Sequence, residues 1–141
     1  MLAPAIFLAS RRRDRYPDLW PACTLGPEPS GERLIEGLET ATRVLVAVIA
    51  AARPDEEAVI WRRPTVQTGA PGDFAPRAGL ELILHAHDVC QGLAVGFEPP
   101  LDLCGRLREH TRGWPMWQGA WSAPGTTGDP WDDLLRAAKR R

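Results

Sequence analysis

The chain lacks a surplus of charge of either sign. Among its 141 residues, 17 lysines and arginines stand against 18 aspartates and glutamates, leaving a formal net charge of −1. Binding to nucleic acid or to anionic membranes needs positive charge concentrated on one face, so this balance argues against both classes. Two local basic clusters, Arg11-Arg12-Arg13 with Arg15 and the terminal Lys139-Arg140-Arg141, read as solvated surface. Cysteine is scarce as well. Cys23, Cys90 and Cys104 are odd in number and have no CxxC spacing, which argues against a disulfide framework or a cysteine-rich zinc site. Cys90 and Cys104 sit in apolar helical surroundings and read as small buried hydrophobes. Long apolar runs are missing too. The longest, at 1–9 and 44–52, fall short of the roughly 20 residues that span a bilayer. No basic residue precedes the first run, so it does not read as a secretory signal. A soluble protein of the reducing cytoplasm is the expectation. Neither a P-loop nor a GxGxxG pattern occurs, which leaves the glycines near residue 70 as weak evidence for phosphate binding.

What the chain does have is enough length for one domain's core and an ordinary globular composition, 44% hydrophobic and 25% charged. Leu2 to Arg15 has room for one short helix, with Pro4 restricting its start. The stretch "YPDLWPACTLGPEPS", with four prolines and a glycine, reads as an irregular connection. Ser30 is an N-cap for a long helix. In that helix Leu34, Ile35, Leu38, Ala41, Leu45, Val48, Ile49 and Ala52 recur at one-face spacing until Pro54 ends it. A short apolar stretch, "AVIWRR", and a loop follow. A second long helix is expected from Pro76, a favoured first-turn residue, to about Leu93, where "GFEPP" breaks it. A third runs from about Leu101 to Arg112, stopped by Gly113 and Pro115. Asp129-Pro130 then caps a short helix through "WDDLLRAAKRR". No alternating run calls for a sheet, and the class read from the sequence is all-α. Residues 1–30 form the irregular N-terminal segment of this reading, and 31–141 form a helical domain.

The segment "ELILHAHDVCQGL" carries the polar residues of greatest interest. On a helical wheel with Glu81 at zero, His85 falls at about 40°, Asp88 at about −20° and Arg77 at about −40°. The remaining circumference is apolar apart from His87, and a helix apolar nearly all round is usually buried. The stripe therefore faces either water along one edge or an internal polar site. A plain reading makes it surface decoration, with i,i+4 pairs worth a few tenths of a kcal/mol. A chemical reading has Glu81 and His85 offering an oxygen and a nitrogen to one metal from successive turns, a set zinc accepts. Asp88 would then orient an imidazole.

The stretches "RAGLELILHAHDVCQGL", "PPLDLCGRLREHTRGWP" and "DPWDDLLRAAKRR" together resemble an actinobacterial family, the mycothiol-dependent maleylpyruvate isomerases, members of the DinB-like four-helix bundles. The resemblance covers about residues 30–141, and its most specific part is the Arg-x3-Glu-x3-His-x2-Asp pattern. It implies a helical bundle binding a divalent metal, usually zinc, between helices, through an early-helix histidine and the Glu and His of an ExxxH motif. Glu81 and His85 match the latter two by position, with Asp88 and Arg77 behind them. It further implies mycothiol as a cofactor whose thiol the metal activates, since a bound cation lowers a thiol's pKa and the thiolate is the nucleophile.

One departure matters. No histidine precedes His85 in the chain, so the early-helix ligand has no counterpart. Three explanations follow: a chain that starts partway through the family's first helices, a natural variant that has lost its metal, or a replacement ligand, for which His110 on the next helix is the choice. His87 projects about 160° from Glu81 and is a poor one. An incomplete bundle would expose the apolar face of the helix at 31–53, and pairing with a second copy is then expected. Trp114, Trp117 and Trp121 read as core packing at the bundle end, with pocket lining the alternative. Two functions stand against each other: a metal-dependent, thiol-cofactor-linked isomerase or transferase, and a non-catalytic interaction module whose Arg77, Glu81, His85 and Asp88 form a buried polar network.

Overall fold

A computed structural model describes residues 2–15, 28–61, 65–114 and 127–140. Helices dominate: α1 (Leu2–Ser10), α2 (Gly31–Ala51), α3 (Pro71–Gly92), α4 (Leu101–Thr111) and α5 (Pro130–Ala137), with a two-stranded sheet of β1 (Ala58–Trp61) and β2 (Gln67–Gly69). The predominance of helix agrees with the expected class. The sheet was not expected. Its signal is invisible as alternation because all four residues of β1 are buried; strands covered on both faces read as continuous apolar runs. The chain divides into two compact units, Met1–Ala78 and Gly79–Arg141.

In the first unit, α1 ends at Arg11, whose positive φ of 53° turns the chain out of the helix. The Arg12 carbonyl then accepts from the Val59 amide at 2.7 Å, tying the helix exit to β1. Arg11 pairs with Glu56 at 3.0 Å and Arg13 with Glu57 at 2.6 Å. The arginine run is solvated as expected, the Arg11 and Arg13 side chains being 67% and 69% exposed, and two of its guanidiniums pair with consecutive glutamates that lead into the strand. β1 and β2 pair antiparallel, Ala58 opposite Gly69, Val59 opposite Thr68 and Trp61 opposite Gln67. The register shifts between Val59 and Trp61, making Ile60 the extra residue of a bulge. Gly69 keeps the approach to the bulge open, since a Cβ there would lie 3.0 Å from the Ile60 side chain, which would have to shift by a few tenths of an ångström.

Ser30 caps α2 as its position predicts, accepting from the Arg33 amide. The expected apolar face is only half used. Leu45 is buried with Ala5 and Ala78, and Val48 and Ile49 pack on that cluster, whereas Leu34, Ile35 and Leu38 are exposed. α3 begins at Pro71, five residues before the start expected at Pro76, which lies inside the helix. Pro71 meets the same first-turn preference. The Asp73 carboxylate reaches back to accept from the Ala70 amide at 2.9 Å, half of a capping box.

The second unit packs the remainder of α3 against α4 and α5. Leu80, Ile83, Leu84, Cys104, Leu107, Trp131, Leu134 and Leu135 form its core, with Phe97, Leu103 and Ala138 against it. Asp129 caps α5 as read from the sequence, accepting from the amides of Trp131 and Asp132. Asp133 is buried yet satisfied: it accepts from the Thr127 amide at 2.9 Å and hydroxyl at 3.2 Å and faces the Arg108 guanidinium at 3.3 Å. No helix among the described residues is long and apolar enough to cross a membrane. Cys23, Trp117, Trp121 and most of the proline-rich connection lie outside the described residues; Trp114 is partly buried, edge-on to His110.

Candidate functional site

The residues of the α3 stripe part company in the structure. Arg77 belongs to the first unit. Its guanidinium lies over the Trp61 ring, 3.9 Å from the centroid, and 5.8 Å from that of Phe7. It also donates to the Ile60 carbonyl at the bulge. Arg77 therefore serves the sheet and α1, where the wheel had grouped it with Glu81, His85 and Asp88.

Glu81, His85 and Asp88 belong to the second unit and face outward. The side chains of Glu81, Asp88 and His85 are 46%, 42% and 68% exposed, so the stripe runs along water and not through a core. One α-helical turn brings Glu81 Oε2 and His85 Nε2 to 3.1 Å. The other ring nitrogen, Nδ1, lies 3.6 Å from Asp88 Oδ2. Asp88 is fixed in turn by Arg140, whose Nε and Nη2 donate to Oδ1 and Oδ2, each at 2.7 Å. This fork is assembled by the end of α5. Lys139 takes a φ of 56°, the Arg140 amide bonds back to the Leu135 carbonyl at 2.8 Å, and the side chain is aimed at α3. The terminal basic cluster, expected to be solvated, thus contributes a specific clasp. No local pattern announced it, because Arg140 is 52 residues from its partner.

The Arg140 guanidinium, hydrogen-bonded to both oxygens, holds the Asp88 carboxyl below the ordinary carboxylate range. A group lowered in this way contributes stability that is fully present above its unfolded value of about 3.9 and is lost as pH falls through the folded value. Because water screens the half-exposed pair, that contribution stays below about 1 kcal/mol. The expected result is an Asp88 carboxyl titration, followed by NMR, with a midpoint below that of an unfolded-chain aspartate. In Arg140→Ala the midpoint should rise toward it; an unmoved midpoint would argue against the clasp.

His110 lies on the exposed side of α4 with its ring edge-on to Trp114, 5.6 Å between centroids. Among the described residues, no group of three or more His, Cys, Asp or Glu side chains stands close enough together to hold a metal ion. His110 is therefore not brought to Glu81 and His85 as a third ligand. His87, set outside the stripe by the wheel, is buried, with its ring edge-on to Trp131 at 5.4 Å. Cys104 is buried at the core, and that burial pushes its thiol up to about 11, which keeps it protonated and unsuited to nucleophilic work. Cys90 is only partly buried. In the first unit, a hollow of about 190 Å³ is lined by Leu8, Ala9, Val48, Ala51 and Ala52, and the Arg11–Glu56 ion pair closes its polar side.

No family model matches the chain, and no curated protein or solved structure compared with it is similar.

Proposed function

We propose that this chain is a divalent-metal-binding helical protein of the DinB-like kind, related to the mycothiol-dependent maleylpyruvate isomerases, with Glu81 and His85 as its ligands. The observation that supports this reading is the 3.1 Å separation of Glu81 Oε2 and His85 Nε2 on an open face. Two ligands bound to one zinc at about 2.0–2.1 Å in tetrahedral geometry stand about 3.3 Å apart, so the donor pair fits a cation with little rearrangement. Asp88, held by Arg140, lies 3.6 Å from Nδ1, longer than a hydrogen bond, and would orient the ring only by moving closer to it. When bound, the cation supplies positive charge that lowers the pKa of a coordinated thiol or water, the chemistry a thiol-dependent isomerase or transferase draws on. The chain's own part would be to present one carboxylate and one imidazole from successive turns of α3.

A non-catalytic interaction module is the second reading. The observation favouring it is that both Asp88 oxygens are taken by Arg140, so the stripe is satisfied without a metal. It is an exposed network in that case, and not the buried one expected from the wheel. Calorimetric titration of zinc into the purified chain separates the two. Saturable binding that disappears in His85→Ala and in Glu81→Gln is the expected result, and wild-type protein that takes up no zinc would sink the metal reading.

A further inference from the structure

We propose that the hollow between α1 and α2 in the first unit binds a small organic amine, its ammonium held by Glu56 and its apolar body by the walls of the two helices. The site shares no residue with Glu81 and His85, so it stands or falls independently of the metal reading.

Size and lining set the class of body. The hollow measures about 190 Å³ and is walled by Leu8, Ala9, Val48, Ala51 and Ala52. Three of these five are alanines, and their short side chains leave the space that larger residues would fill. An apolar cavity of about 150 Å³ takes up benzene, so this one has room for about seven non-hydrogen atoms. It is open to solvent on one side, and a ligand can enter without the helices parting.

Charge sets the class of head. Leu8 and Ala9 stand in the last turn of α1, and Val48, Ala51 and Ala52 at the end of α2. Both helices thus bring their C-termini to the same hollow, and each C-terminus carries a partial charge of about −0.5. The Glu56 carboxylate adds a full negative charge there, on a side chain only 11% exposed. A carboxylate so far removed from water needs a cation beside it.

Arg11 now fills that role through one contact, 3.0 Å from Nη2 to Glu56 Oε1. Its side chain is 67% exposed, so its remaining donors already face water and swinging aside costs little. Arg53, close by in the chain, is committed to Asp55 through Nε and Nη2 at 3.0 and 2.7 Å. An ammonium is compact and donates in three directions. It takes Arg11's place on Glu56, lies in the field of both helix ends, and lets its carbon body follow into the alanine-walled space. A carboxylate or phosphate head meets repulsion from all three.

The test titrates cyclohexylammonium, which has about seven non-hydrogen atoms, into the full chain and follows amide shifts by NMR. Saturable shifts at Ala9, Ala51, Ala52 and Glu56 are expected, with a Kd on the order of 1 mM for so small a ligand. Cyclohexanol, its neutral analogue, should bind at least about tenfold more weakly, and cyclopentanecarboxylate should not bind. Nα-acetyl-lysine methylamide should bind no better than cyclohexanol, because its narrow stem leaves the hollow half filled. Glu56→Gln should weaken the amine by about tenfold or more, whereas Arg11→Ala should tighten it by removing the competing cation. Ala51→Leu, at an exposed position on the rim, should block it. Folding of each variant is checked by an unchanged circular dichroism spectrum. Equal binding of amine and alcohol, preference for the carboxylate, or loss of amine binding in Arg11→Ala would each overturn the proposal. So would a folded Glu56→Gln that binds as well as wild type, or no saturable shift at these amides. Blocked lysine binding as tightly as the amine would give the hollow to a partner protein's lysine and overturn the small-molecule occupant.

Discussion

Trp131→Ala is expected to lower the unfolding free energy by about 3–5 kcal/mol, the usual range for truncating a buried tryptophan. Trp131 stands at the N-terminal turn of α5, 8% exposed, inside the cluster formed with Leu80, Leu84 and Leu107. Its ring meets His87 edge-on at 5.4 Å and Phe97 edge-on at 6.1 Å, and such aromatic pairs add about 0.5–1.5 kcal/mol beyond area burial. Truncation has a second consequence. His87 Nδ1 is buried and has no hydrogen-bond partner among the described residues, and its ring relies on Trp131 for that edge-on contact. Against a typical total stability of about 5–15 kcal/mol, the loss should be plain in urea unfolding followed by far-ultraviolet circular dichroism. Trp131→Phe, which keeps an aromatic ring but not its full volume, should lose less than half as much. A cost below about 1 kcal/mol for the alanine variant would mean that α5 is not the anchor of the second unit.

The second large effect is expected at Arg77. Its guanidinium lies over Trp61, approaches Phe7, and donates to the Ile60 carbonyl, so that one side chain joins α1, β1 and α3. Stacking of a cation on an aromatic face contributes about 0.5–2 kcal/mol depending on desolvation, and a hydrogen bond from a charged donor about 1.5–3 kcal/mol. Arg77→Ala should therefore destabilise the chain by about 2–4 kcal/mol. Arg77→Lys should recover only part, because an ammonium cannot reproduce the planar stack and fork. Amide hydrogen exchange localises the effect: in Arg77→Ala, protection at Val59 and at the β2 amides should fall more than protection in α4. A uniform fall would indicate general destabilisation, and no change would show that the stack contributes nothing to the sheet.

Arg77 also shows how far a helical wheel reaches. The wheel correctly placed Glu81, His85 and Asp88 on one side of α3, because side-chain direction around a helix follows from 100° per residue. It could not say that Arg77, one turn earlier, would leave that set, since a long side chain goes where a partner exists. That partner is the carbonyl at a β-bulge 17 residues upstream, in a strand that no alternation revealed. Arg140 makes the same point from the other end of the chain.

Burial was the least legible property. The apolar periodicity of α2 correctly indicated a helix with one sticky face, yet only the Leu45 end of that face is covered, and Leu34, Ile35 and Leu38 are left exposed. Periodicity specifies which residues share a face. It does not specify how much of that face another element is long enough to cover, and α1 is only nine residues.

What the sequence determined by itself were the local features: the caps at Ser30 and Asp129, the breaks at Pro54 and after Gly92, and the i,i+4 convergence of Glu81 on His85. Each depends on groups within about one helical turn of one another. Tertiary structure alone decided whether that pair faces a core or water, which cations in the basic runs find partners, and how many ligands stand together. Those outcomes depend on residues tens of positions apart being brought into contact, and no local pattern encodes that.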